Sequence, residues 1–254
     1  MSKGKIITLS IMSFLLVLII VLFSAVFCLR SQNVVIVEGS ELNVSHTDII
    51  SASGLKNGQS IFMLDKEKAI SNIESAYPYI KVVQIKTTSV VSVDIVVRAR
   101  EELYYMAYNQ NYYILDEDLK VLNIVHTEPS LIRLKDGAIS LNDDTKVSDF
   151  MGNDYQKACL YQLYTAMYTT QYIDRSGMCD MLEDVEFLYF DTFSKMVIST
   201  DSGVKVEIED PNENLQYKVN NCFSLYQTLT IEQKSTGTIR FYYDRLGSEV
   251  CTYI

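Results

Sequence analysis

Residues 54–65 read GLKNGQSIFMLD: two glycines four positions apart, then a knot of apolar side chains closed by an acid. Gly54 stands where a helix that ends in a left-handed residue needs glycine, and Gly58 supplies a second turn within KNGQ. Ile61, Phe62 and Leu64 are then expected to enter a small core, and Asp65 to cap the next helix through a free backbone donor. The neighbours on both sides agree. Upstream, NVSHTDIISASG (43–54) carries helix-start chemistry: Ser45 as the cap, Asp48 three residues on, and Val44 able to pack on Ile49 as a staple. Capping by Ser45 also accounts for the Asn43-Val44-Ser45 glycosylation sequon. Downstream, KEKAISNIESAY (66–77) places Ala69, Ile70, Ile73 and Ala76 on one helical face, and Pro78 stops it.

Strands flank this helical pair. NVVIVEG (33–39) is rich in β-branched residues and closes on Gly39. IKVVQIKT (80–87) and VVSVDIVV (90–97) are separated by a polar Thr88-Ser89 turn, and Val91, Val93, Ile95 and Val97 alternate with Ser92, Asp94, Val96 and Arg98. The order β-α-α-β-β over residues 34–103 predicts a compact domain with helices on one sheet face.

Ahead of it, Ile6 to Leu29 form an uninterrupted apolar run, IITLSIMSFLLVLIIVLFSAVFCL. Roughly 24 residues at 1.5 Å rise give about 36 Å, enough to cross a hydrocarbon core of about 30 Å. A signal-peptidase site wants small residues at alternate positions, and SAVFCLR offers Val26, Phe27 and Cys28; a lipidated cysteine would follow a small residue, and Phe27 precedes Cys28. The run is therefore read as an uncleaved anchor. Lys3 and Lys5 in the tail of residues 1–5 outweigh Arg30, which predicts a cytoplasmic amino terminus and an extracytoplasmic body, a single-pass type II arrangement.

From residue 104 to 254 the pattern is a second, mostly antiparallel β domain with two helices. YYMAYNQNYYILDEDLKVLNIV (104–125) alternates around Asn109–Asn111 and Asp116–Asp118. A helix is expected through DYQKACLYQLYTAMYTTQYI (154–173), with Tyr161, Tyr164, Tyr168 and Tyr172 as a stripe beside Leu160, Leu163 and Met167 that is expected to face the core. Strands follow on either side of a tight turn at Thr200–Gly203. Another helix over 214–229 shows Leu215, Val219, Cys222, Phe223 and Tyr226 on one face, and two strands close the chain. The class is α+β.

Composition excludes several functions. The chain of 254 residues carries a formal charge of −10; residues 1–30 hold three basic residues and no acid, so the body carries −13 and no nucleic acid is an expected partner. His46 and His126 are the only histidines and no CxxC occurs, so no metal or cofactor is expected. There is no GxSxG, HExxH or phosphate-binding loop, and Asp143-Asp144 in SLNDDTK reads as a solvated turn; no catalytic residue is expected. Cys159, Cys179, Cys222 and Cys251 lie in the exported part, where buried free thiols are the plain reading. Pairing of Cys159 with Cys179, or of Cys222 with Cys251, stays open.

The order of these motifs resembles the FtsQ/DivIB cell-division proteins and their FtsQ-type POTRA domain. The likeness runs through VVIVEG, SGLKNGQSIFMLD, AYPYIKVVQI and VSVDIVVRAREEL, and continues in YYILDEDLKVLN, STDSGVKVEIEDPNENLQYKV and GTIRFYYDRLGSEV. Three places depart from it. Ala99-Arg100-Glu101-Glu102 keeps only the arginine of the usual Glu-Arg-x-Pro exit, Leu119 replaces a hairpin glycine, and Glu209 stands where glycine often follows a strand.

The resemblance implies a noncatalytic scaffold at the division septum. It would bridge FtsL-like and FtsB/DivIC-like single-pass proteins to the septal wall synthase; the alternative is a POTRA-type assembly module of a secretion or sporulation complex. The terminal strand SEVCTYI ends four residues after Val250 and is expected to present an open sheet edge. By the resemblance it would accept a partner's extracytoplasmic segment as an added strand, with Tyr243, Ser248, Val250, Thr252 and Tyr253 as the binding residues.

Overall fold

The computed structural model describes residues 11–19, 26–135, 141–169, 182–189 and 194–254. The chain divides into two compact units, Met1–Arg100 and Glu101–Ile254.

In the first unit residues 11–19 are helical, and Ile11, Phe14, Leu15 and Leu16 are exposed. Among the described residues no helix is long and apolar enough to cross a membrane. Residues 6–10 and 20–25 of the expected anchor, and Lys3 and Lys5, lie outside the described residues. The far end of the apolar run differs from expectation. Leu29 is 0% exposed within the core of the first unit. Its N–H donates to the Gln59 carbonyl at 2.8 Å, its own carbonyl accepts from Gly58 N–H at 2.8 Å, and Ile61 N–H donates to Phe27 O at 2.9 Å. Cys28, expected within the membrane, bridges Ser60 in antiparallel fashion. Hydropathy reads lipid and protein core alike, so the last three residues of the run belong to the folded domain.

β1 (Ser31–Ile36), α1 (His46–Ser53), α2 (Lys66–Ala76), β2 (Ile80–Ser89) and β3 (Ser92–Ala99) follow. The sheet order is β1-β3-β2, with β1 parallel and β2 antiparallel to β3. Ser45 caps α1 by accepting from Asp48 N–H at 3.2 Å, and Gly54 ends it at φ 69°. Asp65 caps α2, accepting from Lys68 N–H at 3.0 Å. Ile49, Ala69, Ile73, Val93, Ile95 and Val97 form the core.

Three local expectations change. Ile61–Met63 form a single 3₁₀ turn that sends Ile61 inward and leaves Phe62 72% exposed, its ring 5.2 Å from that of Phe27. Three residues turning through a full circle offer the sheet only one side chain. Ala76 is exposed too, and Glu74 is buried beside it. The β2–β3 turn falls on Val90 and Val91 rather than Thr88 and Ser89, because the hydroxyls pair across the strands: Ser89 Oγ lies 2.6 Å and Thr88 Oγ1 3.0 Å from Ser92 Oγ.

Arg100 closes the unit. Its Nη2 lies 2.8 Å from Glu74 Oε2, with side chains 1% and 11% exposed. Its Nε donates to the Ile80 carbonyl at 3.3 Å, and Glu74 Oε1 accepts from Val82 N–H at 2.9 Å.

The second unit is built on β4 (Tyr104–Tyr108), β5 (Asn111–Leu115), β6 (Val121–Val125), β7 (Ile132–Leu134), α3 (Asp154–Thr169), β8 (Leu182–Tyr189), β9 (Ser194–Thr200), β10 (Lys205–Glu209), α4 (Leu215–Thr228), α5 (Ile231–Ser235), β11 (Thr238–Tyr243) and β12 (Glu249–Tyr253). The nine strands form one sheet, ordered β12-β11-β10-β9-β8-β7-β4-β5-β6. It is mixed rather than simply antiparallel: β10 with β11, β4 with β7 and β7 with β8 are parallel. β7 meets each neighbour through two residue pairs, Tyr104↔Ile132 and Tyr105↔Arg133 on one side, Arg133↔Asp184 and Leu134↔Val185 on the other. α5, a short helix beyond the two expected, is started by a capping box of Thr230 and Gln233.

The core gathers Cys159, Leu160, Leu163 and Ala166 of α3 with Leu215, Val219, Cys222 and Phe223 of α4 against Val185, Ile198, Val206, Ile239 and Phe241 of the sheet. The described part of the tyrosine stripe is divided between core and solvent. Tyr161 is exposed and Tyr164 half-buried, while the side chain of Tyr168 and all of Tyr172 lie outside the described residues. At 100° per residue Tyr161 is carried off the face that Leu160 presents.

Both turn departures find their geometry here. Leu119 holds φ 60° at the Asp116–Lys120 turn, its side chain fully buried, so the strain of a left-handed non-glycine is offset by packing. After Glu209 it is Asp210 that takes φ 46°. Lys218, fully buried, donates to the Glu209 and Asp210 carbonyls at 2.9 and 3.0 Å and ties that bend to α4.

Candidate functional site: the β12 edge

The hairpin that carries the edge strand is fixed by its turn. Asp244 Oδ1 accepts from Leu246 N–H and Ser248 N–H, both at 2.8 Å, and Gly247 at φ 77° returns the chain. β12 then pairs antiparallel with β11: Tyr243↔Glu249, Tyr242↔Val250, Phe241↔Cys251, Arg240↔Thr252 and Ile239↔Tyr253. On its other side it meets no strand among the described residues.

Thr238 and Ile254 exchange both backbone bonds at 2.9 Å, and Asp244 N–H donates to Ser248 O at 2.9 Å. Bonded and non-bonded pairs alternate in an antiparallel ladder. The even-numbered residues therefore bond inward to β11, and Glu249, Cys251 and Tyr253 turn their N–H and C=O groups outward. An incoming strand would find three donors and three acceptors in register.

Of the five residues named from sequence, two hold the edge in place rather than face a partner. The Tyr253 hydroxyl reaches the carbonyls of Thr236 at 2.6 Å and Gln233 at 3.0 Å, pinning β12 to the end of α5. A Cβ on Gly237 would come within 2.5 Å of the Tyr253 phenol oxygen, so glycine at φ 119° is what admits the ring. Tyr243 packs edge-on to Phe241, with Lys218 Nζ 5.0 Å from its ring centre. Ser248 belongs to the turn.

Val250 and Thr252 alternate onto the opposite sheet face. There Glu207 Oε2 receives Arg240 Nε at 2.9 Å and Lys195 Nζ at 3.0 Å. Burial would raise the Glu207 carboxyl, but the hydrogen bonds and charges of Lys195 and Arg240 outweigh it and hold it below the usual carboxylate range. The face beside Val250 and Thr252 is thus a charge ladder three strands wide, from Lys195 on β9 through Glu207 on β10 to Arg240 on β11.

Sequence reasoning passed over Glu249 and Cys251, whose backbone groups form the open edge. The ladder's parity, readable once the hairpin register is known, is the signal that finds them. Elsewhere, Asp116, Glu117 and Asp118 bring carboxylate oxygens within 4.8 Å of one another. Asp116 Oδ1 accepts from the N–H groups of Asp118 and Lys120 at 2.9 and 2.8 Å, which makes the cluster a turn-closing device. Asp143 Oδ1 accepts from Asn109 Nδ2 at 2.8 Å and the Tyr108 hydroxyl at 3.1 Å, so Asp143 ties its loop to the β4–β5 hairpin.

Residues 30–100 match the model of the POTRA domain, FtsQ-type. Over 88 residues the chain is 36% identical to the cell division protein DivIB of Clostridium acetobutylicum; the match covers 35% of this chain and 34% of that one, so it spans about a third of the relative's length. Among solved structures, the major extracytoplasmic domain of DivIB from Geobacillus stearothermophilus, in its trans isomer, aligns at a TM-score of 0.32 and 12% identity, covering 52% of this chain and 98% of that one.

Proposed function

From the premise that the chain is of the FtsQ/DivIB family, with an FtsQ-type POTRA domain as its first unit, we propose that it is a noncatalytic cell-division scaffold. It is anchored by the apolar run that begins at Ile6, with the POTRA unit and the nine-stranded unit outside the membrane at the septum. Its work is to hold FtsL-like and FtsB/DivIC-like single-pass proteins and, through them, the septal wall synthase.

The observation that carries this reading is the edge position of β12, which ends the strand order with Glu249, Cys251 and Tyr253 facing outward. A partner segment pairs there as a tenth strand: backbone bonds supply affinity, and Val250 and Thr252 select side chains on the open face. Tyr243 and Tyr253 contribute by keeping the edge rigid, which lowers the ordering cost of binding.

Glu249→Pro tests it. Proline removes an outward N–H and none of the bonds to β11, a placement that edge strands tolerate. The full-length variant, shown by circular dichroism to fold, is expected to lose capture of its single-pass partners from dividing cells and to lose septal enrichment. Capture at the wild-type level would overturn the edge as the binding site.

A further inference from the structure

Cys222 projects from α4 and Cys251 from the edge strand β12, and their sulfurs lie 4.0 Å apart. Cys222 is fully buried and Cys251 half-buried, both against the same core. The two come from elements adjacent in space and 29 positions apart in sequence, and each is unbonded to any other cysteine. The sulfurs have to approach by about 2 Å to reach the roughly 2.05 Å of a disulfide. We propose that Cys222 and Cys251 are a disulfide-forming pair, a covalent staple between helix α4 and the edge strand β12.

The order of events follows from the two environments. Cys251 is the entry thiol because it is the more accessible, and the neighbouring Cys222 S–H, against the opposing effect of burial, holds it below the ordinary thiol range. The hydrogen bond with Cys251 and its own burial hold Cys222 well above that range. The Cys251 thiolate attacks one sulfur of an external organic disulfide, either low-molecular-weight or that of a dithiol oxidoreductase, and expels a thiolate. Cys222 loses its proton, attacks Cys251 Sγ in the mixed disulfide and expels the second thiolate. Two S–H bonds and one external S–S bond are exchanged for one internal S–S bond and two external thiols. The pair is oxidised by two electrons and the external disulfide reduced by two.

The staple leaves the edge open. The Cys251 side chain faces α4 while its N–H and C=O face outward, so oxidation fastens β12 to the helix layer without consuming the groups a partner strand would use. It also closes a loop of roughly 30 residues spanning the end of α4, α5, β11 and the hairpin turn, which restricts the unfolded chain.

The test uses the full chain in mild detergent, equilibrated with oxidised or with reduced glutathione and then alkylated under denaturing conditions. In the oxidised sample, non-reducing peptide mapping is expected to yield a peptide joining Cys222 to Cys251, lighter by two hydrogens than the free pair. The melting temperature of the second unit is expected to rise by roughly 10 °C over the reduced protein, a gain absent in Cys251→Ser. Recovery of the two residues as alkylated thiols, as separate glutathione adducts, or linked to any other cysteine would overturn the proposal. Mapping of the wild-type chain decides this even if the variant fails to fold. It is also independent of whether β12 binds a partner.

Discussion

Glu74→Ala strikes a buried ion pair of the POTRA unit, that of Glu74 with Arg100. It removes the carboxylate 2.8 Å from Arg100 Nη2 and the acceptor 2.9 Å from Val82 N–H, leaving a guanidinium whose side chain is 1% exposed. Removing one partner of a buried pair costs about 3 to 5 kcal/mol. Arg100 keeps the Ile80 carbonyl, so the lower end applies. About 3 kcal/mol is roughly a 150-fold shift in the equilibrium between closed and open forms. Hydrogen–deuterium exchange of the full chain reads this directly, because protected amides in β2 and β3 exchange through opening of the unit. Val93, Ile95 and Val97, which are fully buried on β3, should lose protection by about that factor. The double variant Glu74→Ala with Arg100→Met should recover most of it, since an apolar side chain leaves no charge stranded. Exchange of these amides within about threefold of wild type in Glu74→Ala would refute the reasoning.

The outward turn of Phe62 sets a second expectation: Phe62→Ala should cost about 1 kcal/mol, the worth of its ring contact with Phe27, while Ile61→Ala should cost about 2 to 5 kcal/mol. Urea unfolding of the two variants compares them, and equal losses would show that Phe62 is buried after all. A third expectation concerns Tyr105, whose phenol burial and a 2.5 Å hydrogen bond to Glu128 push up to about 12. Because the folded value lies above the unfolded one of about 10, this stabilisation is complete below about pH 10 and is lost as pH rises through about 12. Alkaline denaturation of Tyr105→Phe should be flatter across that window, and curves of identical slope would sink the assignment.

What was legible in the sequence was what short-range chemistry decides. Ser45, Gly54 and Asp65 act within a turn of their own positions, and each does in the structure what its residue type and spacing suggest. The α4 face of Leu215, Val219, Cys222, Phe223 and Tyr226 was legible too, because a single helix sheltered by one sheet repeats its burial every turn. The edge position of SEVCTYI agrees with the expected open edge.

Contacts between distant residues were not legible. Glu74 and Arg100 stand 26 positions apart and Tyr253 lies 17 from Thr236, and no local period announces either contact. The parallel pairings of β7 depend on which strands the chain brings together, which alternation within a strand does not encode. The residues expected to bind a partner split for the same reason: aromatic character drew attention to Tyr243 and Tyr253, but the packing of α4 and α5 claims both rings.

The short strand β7 has a mechanical consequence. Force applied at β12 by a tethered partner would pass sideways through β11, β10, β9 and β8, whose ladders hold four to seven paired residues each. It would then reach a seam of two rungs on either side of Ile132–Leu134. Lateral strength in a sheet is limited by its shortest ladder, so strain would concentrate there, and the five strands from β8 to β12 would shift as one plate against β4, β5 and β6. The second unit would yield as a compliant joint, a mechanical fuse placed between the pulling strand and the opposite edge.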